Sequence, residues 1–207
     1  MMKTWLKNIL SDTSEREENN NIFCFFERPP VIETEDLLIR PVFMRDANDI
    51  YQYTSDPEVA RYVLWNPHRS ISDTRSFIRY LRSLYRRGLP SSWAVEHRSS
   101  GRVIGTIGFM GYSPVHRAAE IGYSFSRLYW NHGYATQALS AVIHYAFTSN
   151  PSLNRLEAQH DIRNRASGRV MEKCGMKKEG ILRERLYNKS EFIDVALYSI
   201  LRSDHIA

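Results

Sequence analysis

The segment AEIGYSFSRLYWNHGYATQAL, residues 119 to 139, constrains this chain more than any other. Ala119, Ile121, Tyr123 and Phe125 alternate with Glu120, Gly122, Ser124 and Ser126, the two-residue period of a strand, so Glu120 and Gly122 share a face. A glycine-bearing turn follows directly. Ala135, Leu139, Val142 and Ala146 then make the stripe of a helix over Gly133 to Ser149, which Asn150-Pro151 stops. A strand, a tight turn and a helix start in succession are anion-binding architecture. The first N–H groups of a helix have no partner within it, and the positive end of the helix dipole lies there, so Asn131 to Thr136 are set to hold a phosphate. Gly133 allows close approach by a bulky pyrophosphate. Neither G-x-G-x-x-G nor G-x-x-x-x-G-K-[ST] occurs in this segment, so dinucleotide and P-loop readings lack their signatures.

The flanking sequence alternates between strand and helix. Leu37 to Val42 reads as a strand, and Asp46 opens a helix running to about Ser55. Ser72 or Asp73 caps a second helix, with Phe77, Ile78, Leu81, Leu84 and Tyr85 as its apolar stripe and Gly88 at its end. Strands follow at Ser92 to His97, Val103 to Tyr112 and Ala118 to Ser126. Beyond the Gly133 helix come a strand at Leu153 to His160, a helix at Asn164 to Lys173 with Gly175 after it, and strands near Lys177 to Tyr187 and Glu191 to Ser203. Helices interleaved with a mixed sheet, without internal repeat, predict an α/β or α+β sandwich. Upstream, Trp5, Leu6, Ile9 and Leu10 have the spacing of a short amphipathic helix, SDTSEREENNN at 11 to 21 reads as a linker, and Ile22 to Phe26 is strand-like. Residues 1 to 30 are thus expected to be an extension and 31 to 207 the folded domain.

Composition excludes several classes. No window approaches the roughly 20 apolar residues of a membrane span, and Lys7 and Asn8 break the start too early for a signal peptide, so a cytoplasmic protein is expected. Cys24 and Cys174 are far apart, and His97, His116, His144 and His160 form no H-x-x-x-H pair, so neither a disulfide scaffold nor a metal site is expected. The first 36 residues carry eight acids and four bases, a net −4 against +5 for the whole chain, which leaves +9 on the rest. That excess favours an anionic partner. Arg75, Arg79, Arg82 and Arg86 fall at steps of four, three and four along one face of the second helix: a solvated face, or a docking surface for an acidic protein or ribosomal RNA.

Four stretches, TEDLLIRPV, AEIGY, YWNHGYATQAL and NRASGRVMEKCGMKKEG, occur in order, and together they resemble the GNAT acyltransferase superfamily. The likeness covers about Glu35 to Asp204 and is nearest to the ribosomal-protein N-terminal acetyltransferase branch of the RimJ and RimL type. It implies a mixed, mostly antiparallel central sheet, splayed between two strands and flanked by helices, with acetyl-CoA as co-substrate and no metal. It also implies that Asn131, His132, Gly133, Tyr134, Ala135 and Thr136 hold the coenzyme pyrophosphate. Ile121, Tyr123, Ser124 and Phe125 would pair with the pantetheine arm, Asn164 would lie beside it, and Ser167 would sit near the sulfur as proton donor to the leaving thiolate. The superfamily turn often reads (Gln or Arg)-x-x-Gly-x-(Gly or Ala); here Trp130 replaces the first residue, and His132 stands where relatives often have Lys.

The chemistry implied is direct transfer in a ternary complex to a primary amine. An α-amine with pKa about 8 is easier to deprotonate than a lysine amine at about 10.4, by about 3.3 kcal/mol, so a weak base serves the former. Glu120 is the candidate base, directly or through a water, and a backbone N–H around Gly122 to Phe125 would hold the oxyanion. The expected acceptor is a protein N-terminus, with Tyr62, Trp65 and Tyr187 as pocket lining. A small amine acceptor (polyamine, amino acid or antibiotic) and a non-catalytic acyl-CoA-binding module remain open. Partners to consider are the ribosome, through the basic helix, and a second copy of the chain as a homodimer, with no membrane.

Overall fold

The computed structural model describes Phe26 and residues 28–206. The expected helix and linker of residues 1 to 21, and the Ile22-to-Phe26 run apart from Phe26 itself, lie outside them. Among the described residues the strands are β1 (Ile32–Glu33), β2 (Leu37–Arg40), β3 (Ser92–His97), β4 (Arg102–Ser113), β5 (Ala118–Phe125), β6 (Arg155–Asp161), β7 (Lys177–Asn188) and β8 (Glu191–Leu201). The helices are α1 (Ala47–Thr54), α2 (Pro57–Ala60), α3 (Ile71–Arg86), α4 (Tyr134–Ser149), α5 (Arg165–Lys173) and α6 (Arg202–Ile206). The strands form one sheet in the order β1-β2-β3-β4-β5-β6-β8-β7. Neighbours are antiparallel except β5 and β6, which are parallel and pair only through Ala118↔Arg155, Ala119↔Leu156 and Glu120↔Glu157. The mixed, mostly antiparallel sheet with a splay between two strands is therefore present.

Strand alternation sends side chains into two cores. Trp93 and Val95 join Ala119, Ile121 and Phe125 of β5 beneath α4, where Ala138, Leu139, Val142 and Ile143 are buried. Ala94 and Val103 join Ile50 and Tyr53 of α1 and Ile78 and Leu81 of α3 on the opposite face. Each fully buried Val, Leu or Ile among them contributes about 1.5–3 kcal/mol. The consequence for β5 is that Ile121, Tyr123 and Phe125 face α4, while Glu120, Gly122 and Ser124 face the α1 and α3 side.

Three boundaries differ from the sequence reading. The cap of α3 is Ser70, not Ser72 or Asp73: its hydroxyl accepts from the Asp73 N–H at 3.4 Å, and the Asp73 carboxylate accepts from the Ser70 N–H at 3.0 Å. This reciprocal box starts the helix at Ile71 and uses Asp73 as its third residue. Ser70→Ala should cost about 1 kcal/mol and lower Tm by about 2–4 °C in a thermal melt. Asp46 precedes α1 but does not cap it with its side chain. Instead it is buried, accepting from both terminal nitrogens of Arg40 at 2.8 and 2.9 Å and from the Phe43 N–H at 2.7 Å. A paired guanidinium is a stronger claim on a buried carboxylate than a helix end. Finally, β8 stops at Leu201, because Arg202 turns away to donate to the carbonyls of Phe147, Asn150 and Leu153 at the end of α4.

Candidate active site

Among the described residues, no strand pairs with the β6-facing edge of β5 beyond Glu120. A slot through the sheet opens at this point. On the other side of β5, Phe109↔Ile121 and Gly111↔Glu120 are paired and Met110 is the extra residue of a bulge, which bends β4. The Met110 side chain lies over Gly122, where an added Cβ would come within 2.8 Å of its Cγ. Glu120 sits at the head of the slot, with Nε2 of Gln159 donating to its Oε1 at 2.8 Å. Its register partner Glu157 is ion-paired to Arg155 at 2.5 Å, whereas no ion pair joins Glu120 among the described residues. Gln159 had no signal in the sequence; only the β5–β6 register brings it to Glu120. The Ser124 hydroxyl is 3.4 Å from that of Thr106, so its side chain is directed to β4.

The turn after β5 forms a cradle. Asn131 and Gly133 take left-handed conformations, φ 63° and 85°, and the first helical bond runs from the Gln137 N–H to the Gly133 carbonyl at 2.9 Å. Among the described residues no acceptor takes the N–H groups of residues 131 to 136. Left-handed residues in such a turn point successive N–H groups into one concavity, a ready anion site. A Cβ on Gly133 would meet nothing within 4 Å, so the concavity is open. These features fit a diphosphate. The Trp130 indole N–H donates to the Phe125 carbonyl at 2.9 Å, which commits its polar atom to the end of β5. The ring of His132 stacks on Tyr134 with centroids 5.8 Å apart, and the Tyr134 hydroxyl lies 3.1 Å from Nε2 of His97. Ala135 and Thr136 complete the first turn of α4.

The N-terminus of α5 lies on the α4 face of the slot. Asn164 is its cap: Oδ1 accepts from the Ser167 N–H at 3.3 Å, and Nδ2 donates to Ser167 Oγ at 3.3 Å. Both ends of the Asn164 amide are thus used locally, while the Ser167 hydroxyl keeps its own proton to donate. The Tyr123 hydroxyl reaches across and donates to the Ser167 carbonyl at 3.1 Å. Burial raises the Tyr123 phenol well above its ordinary value, so it remains a proton-bearing tether between β5 and α5. The sequence placed Tyr123 on this strand without indicating the tether. Cys174 donates to the Thr136 carbonyl at 3.4 Å, and burial pushes its thiol up to about 11. At neutral pH it is a packing residue.

On the opposite face, two arms meet. At the β7–β8 hairpin tip, Asn188 Nδ2 donates to the Val63 carbonyl at 3.3 Å, and Lys189 Nζ to the Ala60 carbonyl. Tyr62 lies there, with the Arg61 and Arg163 guanidinium carbons 5.2 and 5.9 Å from its ring centre. Tyr187 is exposed and packs edge-on against Phe192 at 5.0 Å. Trp65 instead packs on the α1 and α3 core and on His68 at 5.9 Å, which makes it a support for the arm. Among the described residues, no three His, Cys, Asp or Glu come together as a metal-binding group, and no helix is long and apolar enough to cross a membrane.

A family profile described as "Acetyltransferase (GNAT) domain" matches residues 36–177. The chain is 35% identical over 173 residues to the uncharacterized N-acetyltransferase YoaA of Bacillus subtilis, covering 84% of this chain and 97% of that protein. It is 28% identical over 131 residues to the ribosomal-protein-serine acetyltransferase of Escherichia coli, covering 63% of this chain and 72% of that one. A crystal structure of a GNAT-family acetyltransferase from Bacillus anthracis superposes with a TM-score of 0.75 at 32% identity, over 84% of this chain and 99% of that one. The chain belongs to the GNAT acetyltransferase family. It is accordingly an acetyl-CoA-dependent N-acetyltransferase.

Proposed function

We propose that this enzyme transfers the acetyl group of acetyl-CoA to the N-terminal α-amine of a protein, of ribosomal-protein type, in the cytoplasm. The observation that carries the reading is the slot between β5 and β6, with the N–H cradle at one end and Glu120 at its head. The N–H groups of Asn131, His132, Gly133, Tyr134, Ala135 and Thr136 bind the pyrophosphate, and the free edge of Ile121 to Phe125 binds the pantetheine amides. Asn164 shapes that groove by holding Ser167. The domain is taken to span 31 to 207, with residues 1 to 30 as an extension.

Because alternation puts Glu120 and Tyr123 on opposite faces of β5, base and acid flank the slot from the two sides of the sheet. Glu120 takes a proton from the amine, directly or through a water, held in place by Gln159. An unpaired N–H between Gly122 and Phe125 polarises the thioester carbonyl. The amine adds to the thioester carbonyl, forming the C–N bond and a tetrahedral oxyanion. The oxyanion collapses with cleavage of the C–S bond, and the Ser167 hydroxyl passes a proton to the departing thiolate and regains one from solvent. That thiol has a pKa near 8.5, so help is worth little. Ser167→Ala should therefore lower kcat only about tenfold with little change in KM. A Ser167→Ala variant in which KM moves and kcat does not would make Ser167 a binding residue.

An α-amine acceptor suits a lone carboxylate base, and the exposed Tyr187 and Phe192 offer apolar surface for peptide residues behind the terminus. The E. coli relative named for ribosomal-protein serine points the same way. The test is acetyl-CoA-dependent thiol release with a panel of N-terminal peptides, including serine- and alanine-initiated ones, against polyamines, amino acids and aminoglycosides. Peptides should be preferred by kcat/KM; preference for a small amine would replace the reading. Acetyl-CoA binding without turnover of any amine would leave a binding module.

A further inference from the structure

We propose that the exposed arginine face of α3 docks the enzyme onto the phosphate backbone of RNA, beside the acceptor entrance. Arg75, Arg79, Arg82 and Arg86 are all exposed, as is Arg87 just past the helix end. From Arg75 to Arg86 the row spans about 16 Å at the helical rise. None of the five is ion-paired to an acid among the described residues, whereas Arg40, Arg61, Arg98, Arg102, Arg127, Arg155 and Arg163 all are. The one acid on the helix, Asp73, is taken up by the backbone N–H groups of Arg69 and Ser70. Four guanidinium groups on one helix face without a counter-charge repel one another, and nothing in the fold of α3 requires them. Its burial is carried by Thr74, Ile78, Leu81 and Tyr85 on another face.

The composition of the row selects the partner. Guanidinium groups grip phosphate oxygens bidentately, and the hydroxyls of Ser72 and Ser76 beside the row are further donors of the kind found on nucleic-acid backbones. An acidic protein would need apolar anchors among the charges to bind tightly, and the exposed large aromatic of α3, Tyr80, lies off the face that carries Arg75, Arg79, Arg82 and Arg86. Position supports the same conclusion. The segment leading into α3 is the arm touched by Asn188 and Lys189, so RNA bound along α3 lies next to the groove a peptide enters. The choice of RNA over DNA rests on the proposed ribosomal-protein acceptor; the polyanion site itself does not.

The test is fluorescence anisotropy of the full chain with a labelled 20-base-pair RNA duplex at several KCl concentrations. Arg75→Glu/Arg79→Glu/Arg82→Glu should weaken binding about 30-fold or more at 50 mM KCl and flatten the log–log salt dependence by about 3. The same charge change on β7, Lys178→Glu/Arg183→Glu/Arg185→Glu, should cost less than about threefold. Acetylation of a short peptide by the α3 variant should be unchanged, so loss of RNA binding and failure of the proposed acceptor are separate results. Three outcomes overturn the proposal: equal losses from the α3 and β7 variants, meaning bulk charge only; tighter binding of a DNA duplex than of RNA; or tighter binding of a glutamate-rich peptide, meaning a protein partner.

Discussion

Gly133→Glu should weaken acetyl-CoA binding by about 10²-fold or more in calorimetric titration. Gly133 lies in the concavity formed by the free N–H groups of residues 131 to 136, and a side chain there projects into open space. A carboxylate about 5 Å from a phosphate charge costs about 3 kcal/mol at an effective dielectric of about 20, before salt screening reduces it. Backbone strain must be separated from charge. At φ 85° any L-residue costs about 1–2 kcal/mol, so Gly133→Ala carries that strain without the carboxylate. Alanine should lose at most about tenfold, and the further loss in the glutamate variant should shrink as salt rises. An unchanged dissociation constant in a glutamate variant with wild-type circular dichroism would remove the pyrophosphate site from this turn.

Glu120→Gln should lower kcat/KM about 10²-fold at neutral pH, near the low end for loss of a general base. Glutamine has the same shape, and its carbonyl still accepts the hydrogen bond that Gln159 now gives Glu120 at 2.8 Å. Packing is therefore spared and only basicity is lost. An α-amine of pKa about 8 is about 1% neutral at pH 6 and mostly neutral at pH 9, so the deficit should be greatest at low pH and partly recover at high pH. Lysine-side-chain acceptors should not recover in that range. Wild-type kcat/KM from pH 6 to 9 with the true acceptor would mean that solvent or another group takes the proton. Glu157 is the nearest alternative by register, but Arg155 already claims it.

Local periodicity made much of the fold legible. The alternation of residues 119 to 126 marks β5 and its two faces, and the glycine turn with its apolar stripe marks α4, because both patterns depend on neighbours a few residues away. The misplaced α3 cap shows the limit of that legibility. Ser70 and Ser72 are equally good caps as letters, and only the reciprocal bond to Asp73 chooses between them. Asp46 similarly looked like a cap until the fold brought Arg40 beside it.

The site divides along the same line. The chain's own letters marked the strand, glycine turn and helix start proposed to hold the pyrophosphate, since these are local properties of a single continuous segment. They also placed Glu120 and Ser167 as candidates, one on a strand and one at a helix start. They carried no information on whether these lie on one side of the sheet or on two. That was set by the three-residue pairing of β5 with β6, the Gln159 bond to Glu120 and the Tyr123 tether to Ser167. Each of these joins residues some 35 to 45 positions apart, and such contacts exist only once both cores have packed and fixed the strand register.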